Sequence, residues 1–200
     1  EMLRSLVGSE MCIRDRSTPE APGVNLLAKV PQRTNLTEAD KEVVLSGTDT
    51  LTTSVDEIGY PYAVEFEICP DSVPNIDAIL FKGPHSEFVA NWQNTGKFAF
   101  RRDGYEFVFH AYRLPAGKWT KVRVEGDTKG TSLFVDGQLQ ERLEGRVKEV
   151  YNEKWQRKDR FWYQETLIFP LKQLGDVHMG FKGKVKNLIC IPLKNSTILW

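Results

Sequence analysis

Two acidic residues in the segment Tyr62–Ile68 have a spacing that could support glycosidic bond cleavage. Glu65 and Glu67 alternate with apolar residues, so a β-strand would place both carboxylates on one face, about 7 Å apart. Such a pair could in principle supply the acid and the nucleophile of a retaining hydrolase. A solvated outer face of a sheet explains the same alternation. We favour it because no third carboxylate and no polar support accompany the pair.

The histidines and cysteines offer no further catalytic arrangement. His85, His110 and His178 are far apart and share no ligand spacing, and the three cysteines lack the CxxC pattern of zinc sites. The motifs of serine hydrolases, zinc peptidases, phosphate-binding loops and dinucleotide folds are missing from the sequence. Cys69 and Cys190 are expected to be buried thiols rather than a disulfide. We therefore expect this segment to be non-catalytic.

Aromatic side chains beside amides give a better lead, because a glycan site needs flat rings and planar polar groups. The best cluster is a polar and aromatic run at a predicted strand end. A core position for Trp92 and Tyr112 is the alternative. The candidate glycan-binding residues are Asn91, Trp92, Gln93, Asn94, Tyr112 and Trp155.

The charged segment 144–166 has little turn punctuation, and we expect a mixed insertion there with a short helix. Its run Lys154–Tyr163 mixes cations with aromatic rings, which could contact a glycan or dock on a neighbouring domain. The alternative is a cover in which Phe161 and Trp162 seal one end of the fold while the cations stay solvated.

Composition limits the partners of the chain. Its 200 residues contain 27 Lys and Arg against 27 Asp and Glu, so no net field attracts nucleic acid or an anionic membrane. No apolar run approaches the roughly 20 residues that span a bilayer. We expect one soluble domain, with neither nucleic acid nor membrane as a partner.

The N-terminal residues 1–16 show no strand or helix period, and Ser5–Asp15 resembles translated sequencing-adapter sequence. We expect these residues to be a disordered artefact and the native N-terminus to be missing. Residues 17–24, with two prolines and a glycine, are typical of a linker. The folded domain is predicted over 25–194, followed by a tail at 195–200.

Short β-branched and aromatic runs separated by turn signals every ten residues or so predict an all-β fold, namely a two-sheet antiparallel β-sandwich. Asp136-Gly137 and Asp103-Gly104 are typical of tight hairpins. No alternation of strands with helices indicates a parallel sheet. The predicted strands are 43–45, 62–68, 78–81, 88–91, 97–101, 106–112, 120–125, 132–135, 167–171 and 184–191.

Three segments resemble laminin-G-like, concanavalin-like jelly-roll domains. Gly117–Val124 followed by Thr131–Gly137 is similar to the W-x-x-(V/L)-x-V … L-(Y/F)-V-(D/N)-G pattern of these domains, and Phe181–Ile191 is similar to their closing strand. Pro61–Ile68 resembles their early core strand. The resemblance implies that Trp119 lies in the core. It also leaves calcium open as a cofactor, with Asp71, Asp77 and Asp127 as weak candidates, although each is also a simple turn former.

Thr166–Gly175 adds a narrower resemblance, to the C-terminal sandwich of bacterial β-N-acetylhexosaminidases of glycoside hydrolase family 20. In that family the chemistry belongs to a separate barrel, so no catalytic residue is carried over. The resemblance implies a non-catalytic accessory domain of a secreted or periplasmic enzyme, partnered by the catalytic domain of the same chain and in contact with glycan. An independent carbohydrate-binding module and a sandwich-fold glycosidase are the alternatives. An accessory domain predicts an exposed apolar patch, a binding module an exposed aromatic platform with polar neighbours, and a glycosidase two carboxylates across a groove.

Overall fold

The computed structural model describes residues 33–71, 77–102, 104–163 and 167–193, and this part of the chain contains strands and turns but no helix. It therefore has no helix that could cross a membrane. The predicted boundaries at residues 16, 24, 25 and 194 lie outside the described residues. The strands are β1 (Thr34–Asn35), β2 (Val43–Ser46), β3 (Leu51–Thr52), β4 (Glu57–Ile58), β5 (Tyr62–Pro70), β6 (Ile79–Lys82), β7 (Ser86–Trp92), β8 (Lys97–Arg102), β9 (Tyr105–Val108), β10 (Thr120–Gly126), β11 (Gly130–Val135), β12 (Gln138–Glu144), β13 (Arg146–Asn152), β14 (Arg157–Tyr163), β15 (Phe169–Pro170), β16 (Gln173–Leu174) and β17 (Lys182–Pro192).

The strands form two antiparallel sheets, which confirms the predicted β-sandwich. The first sheet has the order β1-β17-β5-β10-β11-β12, with β2 also paired to β17, and the second has the order β3-β16-β6-β7-β8-β9. Strands distant in sequence, such as β5 and β17, pair at the centre of the first sheet. The alternation in β5 sets the orientation of that sheet, because every second side chain from Val64 to Ile68 is buried between the sheets.

The core between the sheets is rich in phenylalanine. Phe88 on β7 lies at its centre, with its ring 4.9 to 6.2 Å from the rings of five other phenylalanines. Burial of each such ring contributes roughly 1.5–3 kcal/mol, and aromatic pairs add to this. These five partners of Phe88 come from both sheets and from the β15 segment: Phe66, Phe81, Phe98, Phe100 and Phe169.

The hairpin turns follow the residues that their backbone conformation requires. Asp136 and Gly137 both have positive φ, 48° and 82°, and join β11 to β12 in a two-residue turn, as predicted. Gly104, the second residue of the other predicted turn, has a positive φ of 79° and directly precedes β9. Asp103 lies outside the described residues.

The segment 144–166 departs from the prediction of a mixed insertion with a short helix. Within it, residues 146–163 form a regular hairpin of β13 and β14, in register from Arg146 opposite Tyr163 to Asn152 opposite Arg157. The turn that the sequence analysis missed is Glu153–Gln156, where Gln156 takes a positive φ of 47° without a glycine. The predicted sealing role of Phe161 and Trp162 lies outside the described side chains.

Two further predictions need correction. Trp119 is only partly buried and lies on the outside of the first sheet, with the Lys186 ammonium 4.6 Å from its ring centroid, so it is not a core residue. The neighbouring Thr120 points into the core instead. Strand β9 ends at Val108 rather than Tyr112, although Phe109 is still buried in the core.

The cysteines at 69 and 190 are both free. Cys69 pairs with Lys184 and Cys190 pairs with Val64, so the two thiols lie at opposite ends of the β5–β17 ladder. Cys190 is buried, and burial raises the pKa of its thiol to about 12, which leaves it protonated and unreactive. Cys69 is only half-buried, contrary to the expectation of two buried thiols.

Candidate functional site

The outer face of the second sheet carries a hydrogen-bonded cluster around Arg101. The Arg101 Nε donates to Glu106 Oε1 at 2.9 Å, and its terminal nitrogen donates to Asp77. Glu106 also accepts a 2.9 Å hydrogen bond from the Trp92 indole Nε1 through its other oxygen. These four residues, Asp77, Trp92, Arg101 and Glu106, are here called the arginine network. They link β7, β8 and β9 across the side of the sheet that faces away from the phenylalanine core.

Strand alternation places the arginine network on this face. Phe98 and Phe100 in β8 point into the core, so Ala99 and Arg101 point outward. A small second apolar cluster forms under the network from Ile79, Val89 and Ala99, and Trp92 packs against it. The indole is therefore held by apolar contact from below and by Glu106 at its nitrogen.

The turn between β7 and β8 contains most of the predicted glycan-binding cluster. Asn91 is buried, and its Oδ1 accepts from the Gly96 backbone N–H at 2.6 Å, so it closes the turn. Gln93 and Asn94 have positive φ of 44° and 59°, and the Gln93 N–H donates to Asp77. In this turn Trp92 belongs to the arginine network, whereas Asn91 binds the backbone. Whether these residues touch glycan remains a prediction.

An open groove of about 660 Å³ lies beside the arginine network, between the β6–β7 loop and the β8–β9 turn. Arg101 and Glu106 belong to both the network and the groove wall. Tyr105 also lines the groove, and it is one of the most exposed aromatic residues described, at 58% of its surface. The lining residues are Lys82, Gly83, Pro84, His85, Ser86, Glu87, Arg101, Arg102, Gly104, Tyr105 and Glu106.

The β6–β7 loop forms one wall of the groove and is anchored from below by Glu57. The Glu57 carboxylate is buried and accepts the backbone N–H of His85 at 3.1 Å. A side chain at Gly83 would meet the same carboxylate at 3.0 Å, so the loop packs closely over it. Burial raises the pKa of Glu57, and the His85 N–H and the nearby Arg102 only partly oppose this effect.

Lys82, the last residue of β6, also lines the groove. Its ammonium lies 2.8 Å from Asp176 and 3.5 Å from Glu87, which ties β6 to the turn after β16. Burial disfavours ionisation of Asp176. The Lys82 ammonium and the N–H groups of His178 and Met179 outweigh that effect and lower the pKa of Asp176 to about 2.

The last two predicted glycan-binding residues lie apart from this groove. Tyr112 stacks on Phe98 with a centroid distance of 6.3 Å and a plane angle of 7°, so it is a partial core residue. Trp155 lies in the β13–β14 turn with 63% of its surface exposed, and its described contacts are with Asn152 and Lys154 of the same hairpin. The structure therefore does not bring these two residues to the Trp92 cluster.

The carboxylates Glu65 and Glu67 lie on the outer face of the first sheet and are occupied by cations. Glu65 pairs with Arg123, which also binds Glu125 at 2.5 Å. Glu67 lies 3.6 Å from the Lys186 ammonium and accepts the Asn187 amide at 2.9 Å. This cross-strand ion pairing is the arrangement expected of a solvated sheet face. Neither carboxylate lines the groove.

The calcium candidates do not fit a shared ion site. Asp77 is bound by Arg101, and Asp127 accepts two hydrogen bonds from Arg142 at 2.8 and 2.9 Å in addition to those of its own turn. Asp71 is exposed in a different turn. Within the described ranges no group of three or more His, Cys, Asp or Glu residues could hold a metal ion. The three aspartates therefore do not combine into a calcium site.

The sequence analysis missed most of the groove. Lys82, Glu87, Arg101 and Glu106 come from four strands, and nothing in their sequence spacing shows that they meet. One signal for the groove was present in the sequence. The outward-facing residue of β8 nearest its end is the charged Arg101, and it is followed by the Asp103-Gly104 turn and by Tyr105. A charged and aromatic hairpin end of this kind indicates a surface worth testing.

The comparisons with known proteins concern the fold. No protein-family model matches the chain, and no curated protein matches it. Among solved structures, the chain is similar to domain 4 of AbnA, a GH43 extracellular arabinanase from Geobacillus stearothermophilus, in complex with arabinotriose. The two share 13% identity and a TM-score of 0.51 over 80% of this chain and 82% of that one.

Two further solved structures were matched with lower TM-scores. The LG1-3 region of the laminin α2 chain has 13% identity and a TM-score of 0.43, over 81% of this chain and 27% of that one. The carbohydrate-binding module CBM66 from Bacillus subtilis has 13% identity and a TM-score of 0.36, over 80% and 91%. At these identities a match concerns fold only. The chain has a β-sandwich fold that is similar to the fold of the arabinanase domain.

Proposed function

We propose that the chain is a non-catalytic accessory domain of a carbohydrate-active enzyme and that it binds saccharide in the groove beside Tyr105. The observation that carries this proposal is the combination of an exposed ring with a fixed polar wall. Tyr105 offers an aromatic face for the apolar side of a sugar ring, while Arg101 and Glu106 offer planar groups for its hydroxyls. The hydrogen-bonded network holds these groups in place before a ligand arrives, which lowers the entropic cost of binding.

The likeness to an arabinanase domain whose structure contains arabinotriose supports the saccharide class without identifying the sugar. The resemblance of Thr166–Gly175 supports a β-N-acetylhexosaminidase as the parent enzyme, with the domain packed against its catalytic barrel. Val177 and Met179, exposed in the turn after β16, are apolar residues that such packing would cover. Secretion or a periplasmic location would follow from this kind of parent.

The test is a glycan array followed by isothermal titration of the hits, with the 200-residue chain and two tyrosine variants. Tyr105 and Tyr151 are matched for this purpose, because they are the same residue type with 58% and 59% exposure but lie in the groove and on the β13–β14 hairpin. We expect Tyr105→Ala to weaken saccharide binding at least about ten-fold, since a lost aromatic contact costs more than about 1.4 kcal/mol. Tyr151→Ala should bind like the parent chain.

The outcomes separate the alternatives. Loss of binding in Tyr151→Ala alone would move the site to the hairpin that carries Trp155. A well-folded chain that binds no saccharide would exclude a binding module and leave only the packing role. N-acetylglucosamine oligomers as the best hits would support the hexosaminidase parent.

A further inference from the structure

The charges around the groove indicate which class of saccharide it takes. Among the residues described, three cations line the groove: Lys82, Arg101 and Arg102. Lys82 is held by Asp176 and Glu87, and Arg101 is held by Asp77 and Glu106. Arg102 lies near enough to the buried Glu57 to lower its pKa. Lys82 and Arg101 are therefore each paired with two carboxylates of the protein, and Arg102 acts electrostatically on Glu57.

The cations that an acidic sugar would need as counter-ions, Lys82 and Arg101, are therefore already paired with protein carboxylates. A ligand carboxylate at Arg101 or Lys82 would lie close to the protein carboxylates that already pair with the same cation, so it would either be repelled by them or have to displace a partly buried carboxylate, which is costly. Among the described residues, two carboxylates line the groove, Glu87 and Glu106, and three more lie behind its cations and its loop: Glu57, Asp77 and Asp176. These carboxylates make the surroundings of the groove cations unfavourable for a further negative charge.

Neutral sugars meet the opposite situation. A carboxylate oxygen that already accepts one hydrogen bond keeps a lone pair for a second, so Glu87 and Glu106 can accept from sugar hydroxyls without losing their partners. The exposed His85 and Tyr105 line the same groove and can donate or accept. Such binding exchanges no ions with solvent, so its affinity should depend little on salt.

We propose that the groove selects neutral saccharides and rejects uronic acid and sulfated ones. This inference rests on the proposed function, because it assigns a ligand class to the same site. The selectivity comes from the paired charges of the arginine network and from the β6–β7 loop, which Glu57 anchors.

The experiment titrates the 200-residue chain with neutral trisaccharides of arabinose, xylose, mannose and N-acetylglucosamine and with trigalacturonate, at about 50 and about 500 mM NaCl. We expect a neutral probe to bind at least ten-fold more tightly than trigalacturonate, with less than a two-fold change between the salts. Preference for trigalacturonate with an affinity that falls in high salt would overturn the inference while leaving the proposed function standing. Binding of no probe at either salt would overturn the inference together with the saccharide-binding part of the proposed function.

Charge reversal gives a second readout. Glu87→Lys replaces a groove carboxylate by a cation and should strengthen trigalacturonate binding, with an affinity that weakens several-fold at the higher salt. Glu125→Lys makes the same change in net charge on the outer face of the first sheet, where Glu125 binds Arg123, and should leave trigalacturonate binding as weak as in the parent chain. Equal behaviour of the two variants would show that the groove charges do not select the ligand.

Discussion

In the part of the chain that the structure describes, the two outer faces of the sandwich contain similar charged and aromatic residues, but only the face of the second sheet borders the groove. Each face has an arginine held by two carboxylates, and each face also has a partly buried tryptophan. On the first sheet these are Arg123 with Glu65 and Glu125, and Trp119 under Lys186. On the second sheet the arginine network plays the same part.

The difference lies in the loops that border each face. On the first sheet, ion pairs such as Glu65–Arg123 join neighbouring strands in register. They lie on the sheet surface and do not line the groove. On the second sheet the β6–β7 loop and the β8–β9 turn stand beside the paired charges and enclose the groove. On the first sheet the paired charges therefore form a solvated surface. On the second sheet similar paired charges lie between anchored loops and become part of a candidate binding site.

The largest expected effect comes from removing the anchor behind the second face. Asp176→Asn should lower the free energy of unfolding at pH 7 by about 2 kcal/mol, because the ionised carboxylate binds Lys82 and two backbone N–H groups. A depressed carboxylate pKa stabilises the fold above its ordinary value of 3.8, and that stability is lost as the pH falls toward about 2. Denaturant unfolding at several pH values should therefore show the difference between variant and parent shrinking below pH 3.8.

Asp56→Asn is the control for this prediction. Asp56 is half-exposed and lies 4.0 Å from Lys172, so its loss should cost only a few tenths of a kcal/mol. An equal loss in both variants would mean that Asp176 has no special role in stability.

The second prediction compares the two arginines directly. Arg101→Ala should reduce saccharide affinity at least about ten-fold, because it removes a groove wall and frees Glu106 and the Trp92 indole to move. Arg123→Ala removes the matching residue of the first sheet and should leave affinity unchanged. Isothermal titration of both variants checks this, with unfolding curves to confirm that each is folded. Equal losses of affinity in the two variants would contradict the prediction that only the second sheet's face binds saccharide.

The smallest effect concerns the buried carboxylate under the β6–β7 loop. Because the folded state raises the pKa of Glu57, stability is greatest at low pH and is lost as the pH rises above the ordinary value of 4.5 through the raised one. Glu57→Gln keeps an oxygen for the His85 N–H but cannot ionise. The stability of this variant relative to the parent should increase from pH 4 to pH 7. A constant difference across this range would contradict the prediction.

Much of the fold could be predicted because its signals are local. Alternation in Tyr62–Ile68 gave a strand and its buried side, and Asp136-Gly137 gave the β11–β12 turn, since only a few residue types accept two successive positive φ angles. The hairpin at 146–163 was missed because its turn, Glu153–Gln156, contains no glycine or proline. Trp119 was misplaced because its motif suggested the core, whereas strand alternation gives that position to Thr120.

None of the described residues predicted to bind glycan lines the groove, and only Trp92 among them belongs to the arginine network. Sequence chemistry alone singled out the Asn91–Asn94 run, but it could not separate Asn91, which closes a turn, from Trp92, which binds Glu106 of the groove wall. By itself the sequence determined an all-β sandwich with balanced charge, because alternation and turn chemistry act over a few residues. Only the tertiary structure decided which charges meet. Strand order and loop packing bring Lys82, Glu87, Arg101 and Glu106 together, and these contacts between strands leave no periodic trace in the chain.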